Sequence, residues 1–171
     1  MVEPILEKMM DEIGGPAKIQ ICMKPHLTGV SQVLTWARLE EVFDLHKMVD
    51  LFVLAVDRDA EEGRVIRLTE LEKQAKESGR NLIAENAWQE IEVWLLAGMK
   101  DFNATWSEVR ESRDPKEQYY IPYAQGRKVF SGPGEGRKIL GREAASNYRR
   151  IRSKCPEDVE RLEQRLKAWK Q

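Results

Sequence analysis

Leu51-Phe-Val-Leu-Ala-Val-Asp-Arg-Asp59 is an uninterrupted run of six apolar residues that ends in two carboxylates two positions apart. Apolar residues without polar alternation read as a strand buried on both faces, the mark of a parallel sheet covered by helices. Ligands of such sheets sit beyond the carboxyl ends of the strands, where Asp57 and Asp59 emerge. Two hard oxygen donors at that edge suit Mg²⁺ or Mn²⁺, usually held by one or two carboxylates with waters and substrate phosphates. The same Asp-x-Asp also serves simply to open a turn and cap the next helix.

The flanking pattern sets the fold class. Val2, Ile5, Leu6, Met9, Met10 and Ile13 recur at helical spacing before Gly14-Gly15-Pro16. Lys18–Met23 alternates as a strand, and a helix is expected over 31–44. After Asp59, Ile66, Leu68, Leu71 and Ala75 line one helix face up to Gly79, and 81–84 reads as a third short strand. Ala87–Ala97 reads as an apolar helix enclosing Glu90 and Glu92, with Glu90 towards solvent, Trp88 about one turn from Glu92, and Glu85 on the same side if the helix extends back that far. Alternating strands and helices predict a three-layer α/β domain over 1–98 with a parallel sheet. Beyond Gly98 the chain becomes a helical appendage over 99–171, with Ser131-Gly-Pro-Gly-Glu-Gly136 as a breaker and helices expected over 137–152 and 156–170. That glycine-rich stretch is no phosphate loop of the Walker type, because no Gly-Lys-Ser/Thr follows. The tryptophans sit mostly at helical spacing and read as core.

Composition narrows the function classes without choosing one. The chain has 171 residues, room for one well-packed domain, and a formal net charge of -1. The charge is uneven: between Arg127 and Lys154 nine cations face only Glu135 and Glu143. Arg137, Lys138, Arg142, Arg149 and Arg152 are the candidates for holding a nucleic-acid backbone, and equally suit a solvated helix face. Cys22 and Cys155 have no ligand spacing, which favours a reduced, cytoplasmic protein. No apolar run approaches the roughly 20 residues of a membrane span, so no membrane partner is expected.

A buried strand ending in Asp57-Arg-Asp59, followed one helix and one strand later by Glu92-Val-Trp-Leu-Leu-Ala97, resembles the Toprim-type proteins related to OLD nucleases. The nearest likeness is to a bacterial and archaeal branch with a Glu-x-Trp-Leu-Leu-Ala-Asp signature. The resemblance implies Mg²⁺- or Mn²⁺-dependent cleavage of nucleic-acid phosphodiesters, with Asp57 and Asp59 as metal ligands and Glu92 assisting. It leaves open an ATPase partner, a homo-oligomer, and a non-catalytic interaction module in place of a nuclease or nuclease subunit. Gly98 stands where that signature has aspartate. The family's first strand, ending in Glu-Gly, has no counterpart here, so its glutamate is either outside this sequence or replaced by Glu3 on a vestigial strand end at residues 1–4. Glu92, set among Ile91, Val93, Trp94 and Leu95, has the stronger physical case, since a carboxylate in such surroundings needs a partner or a metal.

Overall fold

The computed structural model describes residues 1–15, 17–59, 61–132 and 134–171. The apolar run forms β1 (Phe52–Asp57), α4 (Arg64–Glu77) follows it, and β2 (Leu82–Ala87) returns beside β1 in parallel, with Phe52 opposite Leu82 and Asp57 opposite Ala87. A parallel pair needs a long crossover, and the 14-residue α4 provides it. Before this unit come α1 (Glu3–Glu12), α2 (Val30–Val33) and α3 (Trp36–Leu45). After it come α5 (Glu92–Gly98), α6 (Trp106–Glu111), a π-helical turn Lys116–Tyr120 leading into α7 (Ile121–Gly126), α8 (Arg137–Ser146), α9 (Tyr148–Lys154), and a second π turn Pro156–Glu160 leading into α10 (Arg161–Lys170).

Strand geometry sends alternate side chains to opposite faces, and both faces are covered. Phe52 packs with Leu39, Val42 and Phe43 of α3 and Leu71 and Ala75 of α4, while Val56 and Ala84 meet Leu68. On the other face Ile83 and Ala87 join Ile5 and Met9 of α1, Trp94 of α5, Leu140 of α8, Ile151 of α9 and Leu162 of α10. The layering is helix, sheet, helix. The chain beyond Gly98 supplies much of that second layer, because its apolar faces close over β2 and α1 rather than forming a core of their own.

Several expectations are corrected. Among the described residues the sheet has two strands, not three. Residues 17–23 have no regular secondary structure and no backbone pairing among the described residues, and Ile21 and Met23 are 49% and 69% exposed, so alternation without a hydrogen-bonded neighbour does not make a strand. The helix expected over 31–44 is interrupted where Thr35 is extended, φ −96° and ψ 123°. The segment read as helix from Ala87 begins helical structure only at Glu92. In-register pairing with β1 carries residues 82–87 as strand, and Glu85 lies there rather than on the helix. Glu3 lies in the first turn of α1, not on a strand end, because the helical apolar stripe claims Ile5 and Met9 for the core. The predicted helix over 137–152 breaks at Asn147 into α8 and α9.

Gly98 has a packing role. A Cβ there would lie 2.6 Å from the Cα of Ala144, so α5 meets α8 backbone against backbone and an aspartate cannot be accommodated.

The two edges of the sheet are finished differently. The outward N–H groups of Ala84 and Asn86 in β2, and of Trp88 in the turn after it, donate to carboxylates: Ala84 to Glu72 at 2.6 Å, Asn86 to Glu85 at 3.1 Å, and Trp88 to Asp158 at 2.8 Å. Each carboxylate has its own arginine, Arg165 on Glu72, Arg161 on Glu85 and Arg110 near Asp158, and Arg165 also donates to the Ala84 carbonyl. Along β1, Phe52 turns its N–H towards Asn81, so Val53 and Ala55 turn theirs away, where no backbone partner meets them among the described residues.

Candidate acidic site at the carboxyl edge

The loops leaving the two strands clasp each other. The N–H groups of Arg58 and Asp59 both reach the Gln89 carbonyl, at 2.8 and 3.3 Å, and the Ile91 N–H donates to Asp57 Oδ1 at 2.8 Å. Asp59 and Gln89 both have positive φ, 53° and 64°. Non-glycine residues in this region carry strain, and such strain gathers at functional sites.

This clasp brings three carboxylates within electrostatic reach of one another. Asp57 ends β1, Glu90 lies in the turn, and Glu92 opens α5. Burial pushes Asp57 up to about 6, partly offset by the Ile91 N–H, with the negative charges of Glu92 and Asp59 adding to the rise. Glu90 accepts from the Lys116 N–H at 2.6 Å, yet burial, then Glu117, Glu92 and Asp57, push it up to about 7. Glu90 was expected to face solvent and is instead half-buried beside the other two. The missed signal is conformational: Gln89 turns the chain through positive φ just before the helix, so helical spacing does not govern Glu90.

The other candidates are placed as follows. Glu92 is 5% exposed and pairs with Arg137, which donates at 2.7 Å and also meets Glu135. Asp59 is half exposed and pairs with the buried Arg64 at 3.0 Å. Glu3 acts on the Met1 amino group, which is pushed down by burial, with Arg137 and Lys138 nearby. Arg137 is thus the member of the basic set that reaches the acidic site. Arg149 pairs with Glu12 on α1, and Arg152 with Glu160 and Glu163. Lys138 and Arg142 are exposed and have no ion pair among the described residues.

As a metal centre the site is sparse. Among the described residues no group of three or more His, Cys, Asp or Glu side chains is arranged to hold an ion. Asp57 and Glu90 do offer two hard, part-buried oxygen donors whose charged forms lack a countering arginine, which fits a Mg²⁺ or Mn²⁺ completed by water and phosphate oxygens. Among the described residues no helix is long and apolar enough to cross a membrane. No protein-family model, no curated protein and no solved structure matches this chain.

Proposed function

We propose that this chain is a Toprim-like, divalent-metal-dependent nuclease or nuclease subunit that cleaves nucleic-acid phosphodiesters at the carboxyl edge of β1 and β2. The observation that carries the reading is the convergence of Asp57 and Glu90 beside Glu92, two of them with proton affinities raised to near neutrality. Buried carboxyl groups with raised proton affinity at a strand edge are the arrangement in which acid–base chemistry and cation binding are found. Asp57 and Glu90 would hold Mg²⁺ or Mn²⁺, with Asp59 at the rim once released from Arg64. The ion, when bound, polarises the phosphate and makes an attacking water more acidic. Because burial and the neighbouring carboxylates penalise their charged forms, Asp57 and Glu90 would both gain from a cation that neutralises them. Arg137 positions Glu92 and, with Lys138 and Arg142, faces the phosphate backbone with positive charge.

A second reading is a Toprim-like interaction module that partners an ATPase or another copy of itself without cleaving. The pairing of Glu92 with Arg137, which withholds one carboxylate from any ion, favours it. Calorimetric titration of Mn²⁺, with cleavage assays on single- and double-stranded DNA and RNA, separates the two. The nuclease reading expects divalent binding that Asp57→Asn removes, and cleavage that falls about 10²–10⁴-fold in Glu90→Gln. Intact folding with neither Mn²⁺ binding nor cleavage leaves the interaction module.

A further inference from the structure

Around the corner from the carboxylates, a recess of about 130 Å³ lies between the loop after β1 and the turn after β2. Trp88 forms its wall. The indole is fixed by its own Nε1–H donating to the Arg110 carbonyl at 2.6 Å and by its backbone N–H on Asp158, and the Arg110 guanidinium rests 5.0 Å from the ring centroid. Arg58, the residue between the two aspartates, lies 4.5 Å from the same centroid. Its guanidinium has no ion pair or hydrogen bond among the described residues.

Among the described residues, the remaining lining leaves three polar groups for a ligand. Arg161 is held by Glu85, Asp158 is engaged by Trp88 and Trp94, Glu157 by Arg110, and Glu61 by Arg64. What is left is the Arg58 guanidinium as donor, the exposed Glu62 carboxylate as acceptor, and the Asn86 carboxamide as both. Asn86 is 7% exposed, and among the described residues its only side-chain bond is a 3.4 Å contact from Nδ2 to the neighbouring Ala87 carbonyl.

This set selects by chemistry. A phosphate would meet Glu62 and the surrounding carboxylates. An incoming arginine or lysine would meet Arg58. A flat, neutral ring that carries donors and acceptors on one edge satisfies all three groups and stacks against the arginine–indole pair, and asparagine is well suited to reading a base edge with both its amide atoms. The volume is below the roughly 300–1,000 Å³ of pockets for drug-sized ligands, so it holds a single ring system and not a whole nucleotide.

We infer that the Arg58–Asn86–Trp88 recess takes one unstacked nucleobase of a single-stranded nucleic acid lying across the acidic site. This deepens the proposed function and rests on nucleic acid being the partner. Arg58 directly follows Asp57 at the carboxyl end of β1, while Asn86, by strand alternation, faces the other side of the sheet from Asp57, so a strand seated in the recess reaches the carboxylates by crossing the end of the sheet.

The test uses the full chain in EDTA, where no cleavage can occur, and follows the five tryptophan indole N–H signals by ¹⁵N NMR, with Trp88 identified from Trp88→Phe. The probes are a trideoxynucleotide with a central adenine and the same molecule with an abasic centre. The adenine probe moves the Trp88 signal and the abasic probe does not, and Arg58→Ala and Asn86→Ala each weaken binding of the adenine probe roughly 5- to 100-fold. Arg58→Lys, which keeps charge and loses the planar fork, weakens it as well. Equal responses to the two probes, or unchanged affinity in both alanine variants, overturn the inference, as does a Trp88 response to acetyl-Gly-Arg-Gly-amide in place of adenine. Base recognition without Mn²⁺-dependent cleavage in a separate assay would sustain the recess and defeat the nuclease reading; cleavage without base recognition would do the reverse.

Discussion

Arg137→Ala should be among the more damaging single changes at the carboxyl edge, because of what it strands and not of what it removes. The Glu92 side chain is 6% exposed and that of Arg137 is 24% exposed. Deleting one partner of a buried pair leaves an uncompensated charge and costs about 3–5 kcal/mol. Water reaches Arg137 in part, so the lower end applies, about 3 kcal/mol, which for a chain of this size lowers Tm by roughly 6–12 °C. Urea unfolding followed by circular dichroism at pH 7 measures it. Replacing both partners, Arg137→Met with Glu92→Gln, should recover roughly half or more of the loss, since a neutral amide beside an apolar chain leaves no stranded charge. Arg149→Ala is the control: its side chain is 84% exposed, and loss of its pair with Glu12 should stay within about 0.5 kcal/mol. A loss below about 1 kcal/mol for Arg137→Ala, or no recovery in the double variant, would refute the view that Glu92 depends on this arginine.

Asp57 and Glu90 should also make stability fall as pH rises. Both have folded-state values raised, to about 6 and about 7, so between pH about 4, where unfolded carboxyls ionise, and about 7 the folded chain holds more protons than the unfolded one. Denaturation at pH 5 and 7.5 should show this loss flattened in Asp57→Asn and Glu90→Gln relative to the unaltered chain; identical slopes would contradict the assignment. Gly98→Ala should cost about 1–3 kcal/mol by overpacking α5 against the backbone at Ala144, read as a shift in the urea midpoint, with Gly98→Asp worse; a neutral Gly98→Ala would show that the two helices separate freely.

The parts legible in the sequence are those set by local physics. The continuous apolar run of β1, the stripe of α4 with its exit at Gly79, and the stripe of α1 each state their burial in their own periodicity. Residues 18–23 carry an equally good alternation, but a strand is completed by a neighbour, and pairing is not written in the segment itself. Residues 82–87 show the converse: Glu85 and Asn86 look unlike a buried strand, yet the register with β1 and the arginines of α10 make their burial possible. Asp57 and Glu92 could be singled out as carboxylates with apolar surroundings. Glu90 could not, because its position follows from the positive φ of Gln89, nor could Arg137, which reaches Glu92 across 45 residues with no spacing rule to connect them.

The carboxylate–arginine finish along β2 makes the sheet a one-way template. A sheet edge ordinarily invites another strand, and proteins discourage this with charge or cover. Here each described outward N–H of β2 that meets Glu72, Glu85 or Asp158 is already spoken for, so an added strand on that side would have to displace ionic partners as well as water. Any strand that paired with this sheet would therefore do so on the β1 side, where the N–H groups of Val53 and Ala55 have no backbone partner among the described residues and no charged side chain lies between Leu51 and Val56 to deter pairing.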